Sequence, residues 1–276
     1  LGAVAAAVLG LSLVLPLGQL LGDPGTWSEL GGAVRAGTAA WMSSAILAVV
    51  SATLMVAVSV AAARVRCGPW LWLPFLLPGV LVGIGCILVF NRPPFLLLFH
   101  SLGIVVVAWV VRYLAVPWTA TARGLQAVDR RLVDVIRLEG GSRRARFRLV
   151  EWPQAGGLML AGWYVAFLLC LWDTETLVLI QPPGGETLAL RIFNFLHYGH
   201  NAQVNALCLL LLLLALLPLL LWMALGRWIG GGALRRQRGA QGIHGLCPHT
   251  PSLSRRTGDG RGENSPKPFA HCAPEQ

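Results

Sequence analysis

The chain has 276 residues, of which 55% are hydrophobic and 12% are charged, with a mean hydropathy of +0.65. A soluble domain carries about twice that charged fraction, so the composition argues against a soluble protein and indicates a polytopic membrane protein. The formal net charge of +10 is also typical of nucleic-acid-binding proteins. The arginines, however, gather at the ends of apolar segments, which is typical of membrane topology, so we expect no nucleic-acid partner.

The apolar residues fall into segments of roughly 20 residues, the length that crosses a bilayer. They predict an all-α integral membrane protein with about six transmembrane helices. The predicted spans lie at about residues 3–22, 41–63, 70–90, 95–118, 156–180 and 204–228. A polar connector from Asp23 to about Thr38 separates the first two spans.

We assign residues 1–229 to one transmembrane domain and residues 230–276 to a disordered, basic cytoplasmic tail. The tail is rich in Gly, Arg, Ser and Pro and holds too few apolar residues to offset the cost of ordering the chain. At the other end, the chain begins at Leu1 within apolar sequence. We therefore expect either a truncated N-terminus or one half of a longer fused chain.

The loop between the fourth and fifth spans, residues 119–154, is the most charged stretch before the tail and contains eight arginines. Arg64 and Arg66 lie on the same predicted side of the membrane as this loop, whereas the opposite side holds three arginines, at positions 35, 92 and 191. Because short cytoplasmic loops carry an excess of basic residues, this bias places the loop and both termini in the cytoplasm. For a bacterial protein, this orientation corresponds to a multi-pass location in the inner membrane.

Within this loop, apolar residues recur every three or four positions and predict one face of an amphipathic helix. They are Leu125, Val128, Leu132 and Val135 or Ile136. Arg130, Asp134 and Arg137 fall on the opposite face, where the acid and the bases can pair at helical spacing.

Glycines at 140 and 141 predict the end of this helix, because glycine adopts the left-handed conformation that a sharp helix end requires. Ser142 is placed to cap a second helix, which Pro153 is expected to stop or redirect. The loop is therefore predicted to form a helix-turn-helix at the membrane surface. One interpretation is a basic surface helix that faces anionic lipid headgroups.

A second interpretation comes from the order of the residues. Asp134-Val135-Ile136, Gly140, Val150, Trp152 and Pro153 resemble, at matching spacing, the EAA loop of ATP-binding-cassette importer permeases. The valine and isoleucine stand where that family has alanines. The resemblance implies the type I importer permease fold, in which this loop is a coupling helix that inserts into a groove on a separate ATPase. The coupling residues it implies are Asp134, Arg137, Gly140, Gly141, Ser142 and Pro153.

The resemblance also implies the partners of the chain. These are ATPase subunits that bind ATP and Mg²⁺, a second permease half and an extracytoplasmic substrate-binding protein. The chain itself has no Walker A sequence and no catalytic constellation, so we expect neither an enzyme nor a bound cofactor. The alternatives are an ion-coupled secondary transporter, which would have discontinuous helices and acidic ion sites, and a membrane scaffold that transports nothing.

Two acids, Asp173 and Glu175, fall within the predicted fifth span. In one interpretation the span ends near Trp172 and the acids lie in the outer interface. In the other they line the translocation path or its gate, where they suit a cationic substrate or pair with Arg112 or Arg191. Arg112 lies inside the fourth span, close enough to its end to extend toward the headgroups.

The stretch after the fifth span carries a second resemblance. Pro182-Pro183-Gly184, Glu186 to Ala189, Arg191 and His197-Tyr198-Gly199 are similar to the segment before the last span in ferric-iron permeases of the same family. The resemblance makes ferric iron the first substrate candidate, with thiamine, polyamines and phosphonates as alternatives. We expect no metal site on this chain, because a separate binding protein carries the substrate in that class.

Overall fold

The computed structural model describes residues 2–63 and 68–244, and all regular structure in these ranges is helical. The first seven α-helices are α1 (Gly2–Gly22), α2 (Pro24–Ala36), α3 (Thr38–Ala61), α4 (Gly68–Leu76), α5 (Gly79–Phe90), α6 (Leu96–Phe99) and α7 (Gly103–Tyr113). They are followed by α8 (Ala115–Gln126), α9 (Arg130–Leu138), α10 (Arg143–Arg146), α11 (Trp152–Trp172), α12 (Leu177–Ile180), α13 (Leu188–His197) and α14 (Asn201–His244). A 3-10 turn, Pro93–Phe95, precedes α6, and a π-helical turn, Phe147–Glu151, joins α10 to α11.

The chain divides into two compact units, residues 1–225 and 226–276. The described part of the second unit, residues 226–244, is helical. The tail predicted to be disordered from residue 230 is therefore helical as far as His244, and its remainder lies outside the described residues.

The connector predicted before the second span, from Asp23 to about Thr38, also forms a helix. Asp23 caps α2 by accepting a hydrogen bond from the Gly25 N–H at 2.9 Å.

Three described helical segments are long and apolar enough to cross a membrane: Thr38–Ala61, Arg143–Trp172 and Asn201–Ala224. Two further pairs qualify only when joined across a sharp bend, Gly68–Leu76 with Gly79–Phe90 and Pro93–Phe99 with Gly103–Tyr113. The described residues therefore hold three spans, or five if each bent pair is one span. The predicted all-α membrane architecture is confirmed, and the count of six stays a prediction.

The third and fourth spans were predicted as continuous helices, and the structure breaks both. The first pair bends by 103° at Leu77 and Pro78, because proline lacks an N–H and disfavours helical geometry in the residue before it. The second pair bends by 92°. There Ser101 Oγ donates to the Leu98 carbonyl at 2.9 Å and accepts from the Gly103 N–H at 3.2 Å, which replaces helical backbone pairing.

The fifth span begins earlier than predicted and ends earlier. Helical structure runs without interruption from Arg143 through the π turn to Trp172. Of the two outcomes expected for Pro153, to stop or to redirect the loop's second helix, the stop is wrong, because helical structure continues from the π turn through Pro153 into α11. The span ends at Trp172 because the backbone of Asp173 is extended.

The core of the first unit forms where α3, α7, α8 and α11 pack together. Its largest fully buried side chain belongs to Trp109, and Phe167 is also buried. Small residues allow α8 and α11 to approach closely along an antiparallel contact. A Cβ added at Gly124 would lie 3.1 Å from the Cβ of Ala155, and one at Gly162 would lie 2.7 Å from the Cβ of Ala120.

Replacing Gly162 with alanine tests this close approach. The added methyl overlaps both Ala120 and the backbone of Pro117, so we expect the free energy of unfolding to fall by about 1–3 kcal/mol. The matched control is Gly157→Ala on the same helix, where an added Cβ meets nothing within 4 Å. Thermal unfolding of the purified protein in detergent measures both, and equal stability of the two variants would contradict the packing described here.

Candidate functional site

The charged loop is fastened to the helical bundle at both ends. Asp129 caps α9, because its Oδ1 accepts a hydrogen bond from the Arg131 N–H at 2.9 Å. The backbone N–H of Asp129 donates to Gln154 Oε1 at 2.9 Å, which ties the start of α9 to the first turn of α11. This hydrogen bond therefore holds the start of the loop against α11.

The predicted break between the loop's two helices is confirmed. Gly140 has a φ of +73°, in the left-handed region, and the Gly141 N–H donates to the Ile136 carbonyl at 2.8 Å, which closes the end of α9. A Cβ on Gly141 would collide with the Ile136 side chain. Ser142 caps α10 as predicted, since its Oγ accepts from the Ala145 N–H at 3.2 Å.

The predicted apolar face of α9 is correct in part. Val133 and Ile136 face inward, where they pack on a small core around Val128. Leu132 and Val135, which were assigned to that face, are 47% and 50% exposed. The assignment failed because α8 ends at Gln126 and α9 starts afresh at Arg130, so helical spacing does not carry over from Leu125 and Val128.

The outward surface of α9 is therefore partly apolar and partly charged. Leu132, Val135 and Leu138 are exposed at a spacing of three residues. Beside them Arg137 Nη1 donates to Asp134 Oδ1 at 3.3 Å, as predicted. Both charged side chains are about 60% exposed to solvent, so this pair contributes at most about 1 kcal/mol to stability.

A second ion pair in the loop was not anticipated. Arg146 Nε donates to Glu151 Oε1 at 2.8 Å, and both side chains are mostly buried. The two residues bracket the π-helical turn Phe147–Glu151. Their separation of five residues matches the i→i+5 hydrogen-bond spacing of a π-helix.

A cluster of charges lies at the opposite end of α11. That helix has 21 residues, so its ends are about 30 Å apart at 1.5 Å per residue. Beyond Trp172, Arg112 of α7 donates from Nη1 to Asp173 Oδ1 at 3.0 Å and to Thr176 Oγ1 at 2.7 Å. Its Nη2 donates to Glu175 Oε2 at 3.0 Å, so one guanidinium holds the turn that follows α11.

The same cluster fixes the break between α4 and α5. Glu175 Oε2 also accepts a hydrogen bond from the Gly79 N–H at 3.0 Å, at the positive N-terminal end of α5. A Cβ at position 79 would collide with Arg112 Nη1 and lie 2.7 Å from the Cβ of Glu175. Glycine is therefore required by this close approach.

Burial separates the two acids of the cluster. The side chain of Asp173 is 1% exposed and that of Arg112 is 12% exposed, whereas that of Glu175 is 59% exposed. The expected extension of Arg112 toward the headgroups is wrong, because the guanidinium satisfies its charge inside the protein. The predicted pairing of the acids with Arg112 is confirmed, and Arg191 pairs instead with Glu186 at 3.0 Å.

The helix therefore ends at Trp172, as the first interpretation predicts, and the acid that follows it is buried against Arg112. Gly79 and Thr176 belong to the cluster and were missed by sequence analysis. Pro78-Gly79 inside an apolar run was the available signal for Gly79, since it marks a helix break. No sequence pattern indicated a role for Thr176, because it contacts Arg112, which lies 64 positions earlier in the chain.

No family model matches the chain. Among curated proteins, the chain is 28% identical over 159 residues to PhnV of Salmonella choleraesuis (strain SC-B67), a permease protein provisionally named for 2-aminoethylphosphonate transport. That match covers 58% of this chain and 60% of the relative, so the chain spans less than two thirds of that protein's length.

Two relatives from Escherichia coli (strain K12) carry polyamine names. The putrescine transport system permease protein PotI is 25% identical over 206 residues, which cover 71% of this chain and 70% of the relative. The spermidine/putrescine transport system permease protein PotC is 29% identical over 128 residues, which cover 44% and 48%. These relatives are transport permeases and not enzymes.

Removing Arg112 tests the buried pair. In Arg112→Met the carboxylate of Asp173 stays buried without its partner, so we expect the free energy of unfolding to fall by about 3–5 kcal/mol. Adding Asp173→Asn should restore more than half of that loss, because it removes the buried charge. Arg137→Met, at the exposed pair, should cost less than about 1 kcal/mol. Denaturant unfolding in detergent compares the three, and equal losses for Arg112→Met and Arg137→Met would show that the cluster is not a buried pair.

Proposed function

We propose that this chain is the membrane-spanning permease subunit of an ATP-driven, binding-protein-dependent importer with the type I fold. The observation that carries the proposal is the geometry of the loop. A short helix is closed by Asp129 at one end and by Gly140 and Gly141 at the other, and it is tied directly to the start of a membrane span. The relatives named as transport permeases support the same role.

In this proposal α9 is the coupling helix. Its exposed apolar residues and the neighbouring Asp134 and Arg137 supply a mixed surface for a groove on an ATPase subunit. Gly140, Gly141 and Ser142 set the angle of the turn, and Pro153 starts the span that follows. ATP and Mg²⁺ bind the ATPase partner and not this chain.

The coupling step needs a mechanical link to the membrane interior. The helical path from Arg143 to Trp172 provides it, since the loop and the Arg112 cluster lie at opposite ends of one span. The mostly buried pair of Arg146 and Glu151 stiffens the π turn at the start of that path. A displacement of the loop would therefore reach Asp173 and the break before α5.

We assign Glu175 to the gate of the translocation path. Arg112 neutralises the buried Asp173, whereas Glu175 is more than half exposed beside the break between α4 and α5. Breaking its contacts to Arg112 and Gly79 would free α5 to move. Alternating access would then involve making and breaking this cluster.

The remaining parts of the assembly follow from the importer role. They are a second permease half, which is an identical chain, a related chain or a fused partner, and an extracytoplasmic binding protein. The chain would lie in the bacterial inner membrane as a multi-pass protein, with the loop and both termini in the cytoplasm.

For the substrate we propose a small solute that carries a primary amine. The three relatives are named for 2-aminoethylphosphonate, putrescine and spermidine/putrescine, and each of these compounds has a primary amine that is protonated at neutral pH. A cluster of two acids and one base suits a cation. Ferric iron, indicated by the stretch from Pro182 to Gly199, stays a prediction, and none of these three relatives is named for it.

A second candidate is an ion-coupled secondary transporter. The specific observation in its favour is the broken helix pair α4 and α5, which places ionisable side chains at the bend, as discontinuous helices do in such carriers. The two functions differ in their energy source, and uptake assays separate them.

Cysteine crosslinking tests the coupling role. In a background with all six native cysteines replaced, Ser142→Cys should crosslink to the co-expressed ATPase, and the yield should change when ATP is bound. The matched control is Ser101→Cys, an exposed serine outside the loop, which should give no crosslink. Failure of the chain to co-purify with any ATPase would overturn the proposal.

Uptake measurements test the gate and the substrate together. We expect Glu175→Gln to lower putrescine or 2-aminoethylphosphonate uptake at least tenfold, whereas Glu186→Gln should leave uptake within about twofold. Radiolabelled ferric iron serves as the alternative substrate. Uptake that survives loss of the ATPase but stops with a protonophore would favour the secondary transporter.

A further inference from the structure

A cleft of about 1380 Å³ lies between the end of α3 and the two loop helices. Its charged lining consists mainly of arginines. They are Arg130, Arg137, Arg143, Arg144, Arg146 and Arg148. Asp134 and Glu151 also line the cleft, so positive charge is in clear excess there.

The excess is not balanced within the protein. Arg137 pairs with Asp134, and Arg146 pairs with Glu151. The other four arginines of the cleft form no ion pair with any residue that the structure describes. Guanidinium groups gathered in one concave site repel one another and attract an anion, and their planar geometry suits phosphate oxygens.

The floor of the cleft is apolar. Val60, Leu125, Val128 and Phe147 line it, and all four are buried or partly buried, whereas Arg143 and Arg144 are exposed. Val60 and Ala61 end a helix that is long and apolar enough to cross a membrane, Thr38–Ala61, so in a bilayer the cleft would open near the level where acyl chains meet headgroups. Trp152, an aromatic side chain suited to that interface, lines the same cleft.

We propose that this cleft binds an anionic phospholipid from the leaflet on the loop's side. Arg143 and Arg144 hold the phosphate, and the acyl chains cover the apolar floor. A soluble phosphate would satisfy the arginines but would leave the floor in contact with water, so the lipid matches both parts of the lining. The site is distinct from the outward stripe of Leu132, Val135 and Leu138, and it does not depend on the importer role.

The test uses the purified full-length chain in an uncharged detergent, with native mass spectrometry to measure lipid binding. Phosphatidylglycerol should bind at least tenfold more tightly than phosphatidylcholine. The double variant Arg143→Gln/Arg144→Gln should lose at least tenfold in affinity for phosphatidylglycerol. The matched control Arg123→Gln/Arg131→Gln removes the same charge from exposed arginines of the same loop outside the cleft lining, and it should change the affinity less than twofold.

Four results would overturn the proposal. Equal losses in the two double variants would indicate diffuse surface charge, and equal binding of the two lipids would exclude headgroup recognition. Displacement by inorganic phosphate at concentrations similar to those of phosphatidylglycerol would identify a site for free phosphate. In the unmodified chain, a photoactivatable phosphatidylglycerol should label peptides that contain Phe147 or Trp152, and labelling confined to other segments would also contradict it.

Discussion

The ion cluster around Arg112 is the contact on which the arrangement of the membrane helices depends. One guanidinium bonds to Asp173, Glu175 and Thr176, and through Glu175 it reaches the N-terminus of α5. It therefore holds together the end of α7, the turn after α11 and the break between α4 and α5. A charged group in this apolar setting is stable only while its partners stay in place, because an unpaired buried charge costs several kcal/mol. The cluster is therefore stable when all its contacts are made and costly when only some of them are broken, as the proposed gate requires.

The span from Arg143 to Trp172 gives this cluster its connection to the opposite membrane surface. At that surface, the three sides of the loop differ in what they contact. The inner side, with Val133 and Ile136, joins the core, the outward side leaves Leu132, Val135 and Leu138 exposed, and the cleft beside α3 gathers arginines over an apolar floor. The two interpretations of the loop, as a docking helix and as a headgroup-facing helix, share Asp134 and Arg137, whereas the exposed apolar stripe and the other arginines of the cleft lie on different surfaces.

Rules that use residues within a few positions predicted the turns of the loop, and they failed where the helix boundaries differed from those assumed. The left-handed Gly140, the Ser142 cap and the pair of Asp134 and Arg137 each depend on residues within a few positions, so the residue types alone specified them. The apolar face of α9 was predicted correctly at Ile136 and wrongly at Leu132, because helical spacing was counted across the break after Gln126. A proline at position 153 predicts that the helix stops or is redirected, whereas the preceding π turn allows helical structure to continue through it.

The sequence by itself determined that the chain is a helical membrane protein. It also determined which residues form the charged loop and where that loop turns. Composition and short-range hydrogen bonding suffice for these features, because a bilayer accepts only segments that satisfy their own backbone. Only the tertiary structure decided that Arg112 is buried and does not reach the headgroups, and that Gly79 and Thr176 join it. Those contacts link positions more than 60 residues apart, and their stability comes from the low-dielectric environment that the packed helices create together.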